Sequence, residues 1–170
     1  TEWGYSVDSS FSNVEATDGD GSISQTDVGG VETLSWGVGG VQSSVSIEDA
    51  EGAGGLITNG GYVSGGSFVH TNNILPERGL ALSEFDLTSA LTLTPVQPVA
   101  GDPVDVSPIT FMNFFIETGN NAGTCIPGAG SVCDDIFTID NVDELGLTEV
   151  DGNLQFVSPS FTRAGWAYTV

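Results

Sequence analysis

The ten residues Asp18 to Asp27, DGDGSISQTD, carry the sharpest local chemistry in the chain. Calcium takes roughly six to eight oxygen ligands, and closely spaced Asp and Ser around glycine can wrap one ion. Aligned on the twelve-residue EF-hand loop, Asp18, Asp20, Gly21, Ile23 and Asp27 fall on the third, fifth, sixth, eighth and twelfth positions. Ala16 stands at the first position, where the loop needs Asp, and no helical pattern flanks the segment. Two readings follow. One is a calcium loop between strands, built from Asp18, Asp20, Ser22, Ser24 and Asp27, which makes calcium the one cofactor the sequence raises. The other is a solvated acidic turn, which the missing ligand favours.

Catalytic chemistry is hard to assemble from the rest. His70, in FVHTNNILPE, is the only histidine. A serine hydrolase would have to use it as base, and no G-x-S-x-G elbow supplies the nucleophile. The run His70, Thr71, Asn72, Asn73 reads more simply as side chains satisfying backbone groups at a strand end. Two carboxylates such as Glu84 and Glu117 could form a glycosidase pair, but 23 acidic residues offer many such pairs. Trp3, Trp36 and Trp166 could stack on sugar rings; each lies in an alternating segment where core packing is the default. These readings exclude an evident catalytic constellation, and the expectation is a protein that is not an enzyme.

Cys125 and Cys133 bracket CIPGAGSVC, whose Pro127, Gly128 and Gly130 let the chain double back. The expected result is a local disulfide, worth about 2 to 3 kcal/mol for so short a loop and persistent only in an oxidising compartment. Two cysteines with one histidine make a poor zinc set.

The charge balance narrows the partners. Against 23 Asp plus Glu stand two cations, Arg78 and Arg163, for a net charge of −21. Such a surface repels nucleic acid and anionic lipid and suits cations or high salt. A hydrophobic fraction of 39% still allows a core, so the charge does not imply disorder. The longest apolar run, Ile109 to Ile116, is too short for a membrane-spanning helix. The chain starts at Thr1 and its only methionine is Met112, which a cleaved signal peptide explains most simply.

The elements that must position these residues are strands. Period-2 alternation runs through Trp3, Tyr5 and Val7, through Leu34 and Trp36, and through Val41, Ser43, Val45 and Ile47. Further strands are predicted at Tyr62 to His70, Leu80 to Leu82, Leu87 to Leu93, Ile109 to Glu117, Ile136 to Ile139 and Leu154 to Phe161, with Tyr168 and Val170 closing the pattern. Gly39 with Gly40, Gly52 to Gly55, and Asn59 with Gly60 and Gly61 read as turns, and Pro95 to Pro108 as a long crossover. Only Asn141 to Glu149 offers a helix, with Asn141 as its cap and Gly146 weakening it. The prediction is one all-β domain over residues 1–170, a β-sandwich of jelly-roll type with about nine or ten strands.

Four segments together, LSWG at 34–37, HTNN at 70–73, FFIETGN at 114–120 and CDDIFTI at 133–139, resemble the THxN family of exported PEP-CTERM proteins. The resemblance spans nearly the whole chain. It implies export by a Gram-negative bacterium, a β-sandwich, and association with the cell surface or exopolysaccharide matrix, with no established activity. Val69 stands where the family's namesake Thr would precede His70, so the motif's role, itself unassigned, carries over only to His70 and Asn72. Family members continue past the point where this chain ends at AYTV, residues 167 to 170, toward a sorting helix.

A sandwich lacking a terminal strand exposes an edge that another strand can fill. Thr1 to Val7, or the strand ending at Val170, is the expected donor. The function expected is therefore a secreted extracellular structural or adhesive protein of the cell surface or biofilm matrix, assembling as an oligomer or filament by strand addition. Its partners are copies of itself or matrix polysaccharide, without nucleic acid or membrane insertion. A calcium-dependent carbohydrate-binding module is the alternative.

Overall fold

The computed structural model describes residues 1–75, 78–118 and 134–170. The fold is all-β and sandwich-like, as the alternation requires. Its strands are β1 (Glu2–Ala16), β2 (Ser22–Asp27), β3 (Val31–Val38), β4 (Val41–Glu48), β5 (Ala50–Ile57), β6 (Ser67–Thr71), β7 (Leu82–Gln97), β8 (Val104–Asp105), β9 (Ile109–Ile116) and β10 (Ile136–Ile139). One helical turn, α1 (Val142–Leu145), follows, and then β11 (Thr148–Val150), β12 (Asn153–Gln155), β13 (Phe161–Arg163) and β14 (Trp166–Tyr168).

The larger sheet runs β10-β9-β7-β1-β5, with β8 joined to β7; the smaller runs β2-β3-β4-β6. β11–β12 and β13–β14 are separate hairpins, and all these pairings are antiparallel. The two sheets share a core in which Leu34, Trp36 and Val45 of the smaller sheet meet Phe85, Leu87 and Phe115 of the larger. Alternation alone selects these residues, because every second side chain of a strand faces the same way. A second core lies under the end of β1. There Trp3 packs edge-on against Phe161 and Tyr168, each 5.5 Å away between ring centres, so the β13–β14 hairpin lids a part of the sheet.

Several boundaries differ from the sequence pattern, each for a packing reason. The fourteen strands among the described residues exceed the expected nine or ten because five of them span only two or three residues. Gly52 to Gly55 is not a turn but lies in β5, paired with β1. A Cβ on Gly52 would sit 2.5 Å from the Tyr5 ring, so this glycine serves close approach within a sheet. The crossover begins later than Pro95, because β7 continues to Gln97 alongside β1. The segment Tyr62 to His70 contributes only Ser67–Thr71 as strand, and Leu154 to Phe161 is divided between β12 and β13.

Asn141 does precede α1, but its side chain does not cap the helix. Its Oδ1 instead accepts from Met112 N at 3.0 Å, and its Nδ2 donates to the Thr110 carbonyl at 2.9 Å. Asn141 is thus a side-chain clamp on β9, and Gly146 ends the turn in the left-handed conformation, φ 63°.

Both expected donor segments are seated in the chain's own structure. Trp3 is fully buried in β1, and the Ser158 amide donates to the Val170 carbonyl at 2.7 Å. Among the described residues no helix is long and apolar enough to cross a membrane.

Candidate functional site

The register of β6 decides where its histidine points. His70 pairs with Val45 of β4, and paired residues across a ladder share a face, so His70 follows buried Val45 into the space between the sheets. Its ring stacks on Trp36 with 6.2 Å between centres and meets Phe115 edge-on at 5.1 Å. Phe68, two residues earlier, takes the same face and stacks on Phe137 of β10 at 5.2 Å.

Two carboxylates close the other side. Asp135, just before β10, accepts the Thr118 amide on Oδ1 at 2.9 Å, with the Thr118 hydroxyl at 3.4 Å. Its Oδ2 stands 3.3 Å from His70 Nε2. Among the described residues Oδ2 is buried without a hydrogen-bond partner. Glu117, just past β9, accepts the Trp36 indole N–H on Oε2 at 2.9 Å, and its Oε1 is buried with no hydrogen-bond partner among the described residues. Trp36 on β3, His70 on β6, Glu117 beyond β9 and Asp135 before β10 therefore form one polar cluster spanning both sheets.

Burial governs the electrostatics. It pushes the Glu117 carboxyl up to about 7; the Trp36 N–H opposes this and the negative Asp135 adds to it. Burial also lowers the His70 pKa, against a smaller opposing pull from Asp135. Glu117 can therefore exchange a proton around neutrality. Among the described residues, Asp135 is the one polar contact of the His70 ring.

The fate of the other expected site residues follows from strand geometry. Asn72 is exposed beyond β6. It is the next residue, Asn73, that fastens this segment, donating from Nδ2 to the Gln42 carbonyl at 2.7 Å and from its amide to Ser43 Oγ at 3.0 Å. Glu84 and Glu117 do not form a pair. Phe85 lies opposite Asn113 and Glu84 opposite Phe114, so Glu84 faces outward while Glu117 follows Phe115 inward.

The five expected ligands of the acidic segment do not converge. Ser22 to Asp27 is the extended strand β2, paired with β3 throughout. At about 3.4 Å per residue, Ser22 and Asp27 lie roughly 17 Å apart, so Asp18, Asp20, Ser22, Ser24 and Asp27 cannot converge on one point. Gly21, which fits the sixth EF-hand position, has a different reason to be glycine: its φ is 121°, and a Cβ there would lie 2.1 Å from the Gly37 carbonyl oxygen. Among the described residues no group of three or more His, Cys, Asp or Glu side chains has a metal-holding arrangement.

Trp3 and Trp36 are fully buried, which removes them as sugar platforms. Trp166 departs from the core default: it is 72% exposed at the tip of the β13–β14 hairpin, whose turn residues Ala164 and Gly165 both have positive φ. The expected Cys125–Cys133 bond lies outside the described residues.

Glu117 and Asp135 were legible only indirectly, Glu117 as half of a wrong pair and Asp135 as one of many acids. A usable signal did exist: the four segments LSWG, HTNN, FFIETGN and CDDIFTI contribute Trp36, His70, Glu117 and Asp135 respectively. No family model, curated protein or solved structure matches the chain.

Proposed function

We propose that this chain is a secreted structural or adhesive protein of the cell surface or extracellular matrix, associating through an open sheet edge and performing no catalysis. The observation that carries the reading is the side of the sandwich where β6 and β10 are both terminal strands. Phe68, Val69 and Phe137 there are 37%, 50% and 38% exposed. Monomeric proteins guard such edges with lysine, proline or inward charge. The chain has no lysine, and β6, SFVHT, carries none of these guards unless His70 is protonated.

Export is the expectation attached to the THxN resemblance. The donors expected at either terminus are occupied, so the reading places association at the β6 edge of a second copy. With a net charge of −21, such contacts need screening, and assembly should grow with ionic strength. Light scattering and negative-stain microscopy of the purified chain, in low and high salt, test this. Salt-dependent oligomers or filaments that Val69→Lys abolishes are expected. A monodisperse monomer at high concentration in every salt overturns the reading.

One observation favours a second reading, a carbohydrate-binding module. The exposed Trp166 ring offers a flat apolar face of the kind that stacks on sugars. Retention on an acidic or neutral polysaccharide that Trp166→Ala removes would establish it, and insensitivity of that retention to EDTA would exclude calcium dependence.

A further inference from the structure

We propose that Arg163 and Trp166 form one binding site for a carboxylated sugar, the Trp166 ring carrying the pyranose and the Arg163 guanidinium its carboxylate. On the carbohydrate-binding reading, which this presupposes, the glycan class is then a polysaccharide of uronic acid residues.

The two side chains are held together by the hairpin itself. Arg163 pairs with Trp166 across the β13–β14 ladder, and the turn between them has Ala164 at φ 51° and Gly165 at φ 81°. Positive φ at both central positions matches the twist of the flanking strands and fixes the register. Residues paired in this way share a face, with Cβ atoms about 4.5 to 5.5 Å apart. Phe161 and Tyr168, the other pair on that face, are seated on Trp3. The hairpin is therefore anchored at its base and presents Arg163 and Trp166 at its tip.

Arg163 is built into place and left without a counter-ion. Its guanidinium lies over the Trp3 ring, 5.9 Å from the ring centre, and a Cβ on Gly101 would collide with its Nη2. Gly101 thus leaves open the space that the guanidinium fills. Among the described residues no carboxylate lies within ion-pair distance of Arg163 and no acceptor takes its side-chain N–H groups. This holds in a chain of 23 acidic residues, with Asp102 directly following Gly101. A guanidinium held over an aromatic face keeps its N–H fork for a carboxylate, which it binds through two parallel bonds.

Beside it, the Trp166 ring is 72% exposed and offers the apolar half of the site. A uronic acid supplies both complements within one ring, its C–H face and its carboxylate. A neutral sugar supplies only the first and an acidic peptide only the second. The net charge of −21 opposes any polyanion at range, but at about 0.15 M salt the screening length is about 8 Å, so the groups in contact decide.

Retention of the intact chain on immobilised polygalacturonate, in EDTA and about 0.15 M salt, tests the site against the fully methyl-esterified polymer, whose rings are the same but uncharged. The acid should bind about tenfold more tightly than the ester, the margin of one charge-assisted pair. Arg163→Gln should erase that preference, and Trp166→Ala should weaken retention on both polymers about tenfold. Equal binding of acid and ester, or a preference that survives Arg163→Gln, overturns the proposal while leaving Trp166 as a platform for neutral sugars. Equal binding of polyglutamate and polygalacturonate overturns it in favour of an acidic protein partner. Binding of neither polymer by the wild type sinks the carbohydrate-binding reading itself, and the proposal with it. The wild-type comparison of acid with ester decides the matter even if Arg163→Gln unseats the hairpin from Trp3.

Discussion

The indole N–H of Trp36, on the smaller sheet, donates to Glu117 Oε2, beside the larger sheet, across 2.9 Å. This bond joins the hydrophobic core to the polar cluster, because the same Trp36 ring is fully buried and carries His70 stacked on it. Core packing and carboxyl chemistry are thus coupled through one side chain.

Trp36→Phe keeps an aromatic ring and removes the donor. Oε2 then joins Oε1 as an unpartnered buried oxygen, so the variant should lose about 1 to 3 kcal/mol in urea unfolding. The Trp36 bond holds the Glu117 pKa down, so the carboxyl midpoint should also climb beyond about 7. A merely smaller core would leave that midpoint unchanged.

His70 sets an opposite pH dependence. Its pKa is lowered in the folded state, so the unfolded chain binds the proton more readily. Its contribution is complete above the unfolded value of 6.5 and is lost as pH falls through the depressed folded value. The stability difference between wild type and His70→Gln should therefore move against the wild type on acidification from about pH 7.5 to about pH 5. Glu117 works the other way: its raised pKa makes the fold bind more protons, so its cost begins above 4.5 and is complete above about 7. Urea melts of His70→Gln and Glu117→Gln across this range should show slopes of opposite sign relative to wild type.

Gly21→Ala should cost about 1 to 3 kcal/mol, since the new Cβ meets the Gly37 backbone and the φ of 121° suits glycine alone. Calcium should restore none of it. Recovery of the melting temperature by calcium would revive the metal-loop reading of Asp18 to Asp27.

Asn141→Asp separates a helix cap from a strand clamp. Asp is as good a cap as Asn, so a capping role predicts little change. As a clamp, Asn141 must donate to the Thr110 carbonyl, which an aspartate cannot do. The expected loss is about 1 to 3 kcal/mol by thermal or urea melting.

Local pattern is legible in the sequence where its cause is local. The buried faces of Leu34, Trp36, Val45 and Ile47 follow from alternation within single strands, and all four are in the core. It is ambiguous where a residue type has two uses. Glycines at 52 to 55 signal a turn unless another ring needs their space, and the Asp-Gly-rich approach to β2 imitates a metal loop because both require small residues and positive φ. Asn141 satisfies the composition of a cap while its hydrogen bonds go elsewhere.

By itself, then, the sequence determined an all-β chain with a strongly acidic surface, since charge and two-residue periodicity need no knowledge of what packs on what. Only the tertiary structure decided that His70 belongs with Asp135, that Glu117 belongs with Trp36 and not with Glu84, and that Ser22 to Asp27 lies flat in a sheet. The reason is register. One residue of slip sends a side chain to the opposite face, and cross-strand partners are set by the whole sheet rather than by any segment within it.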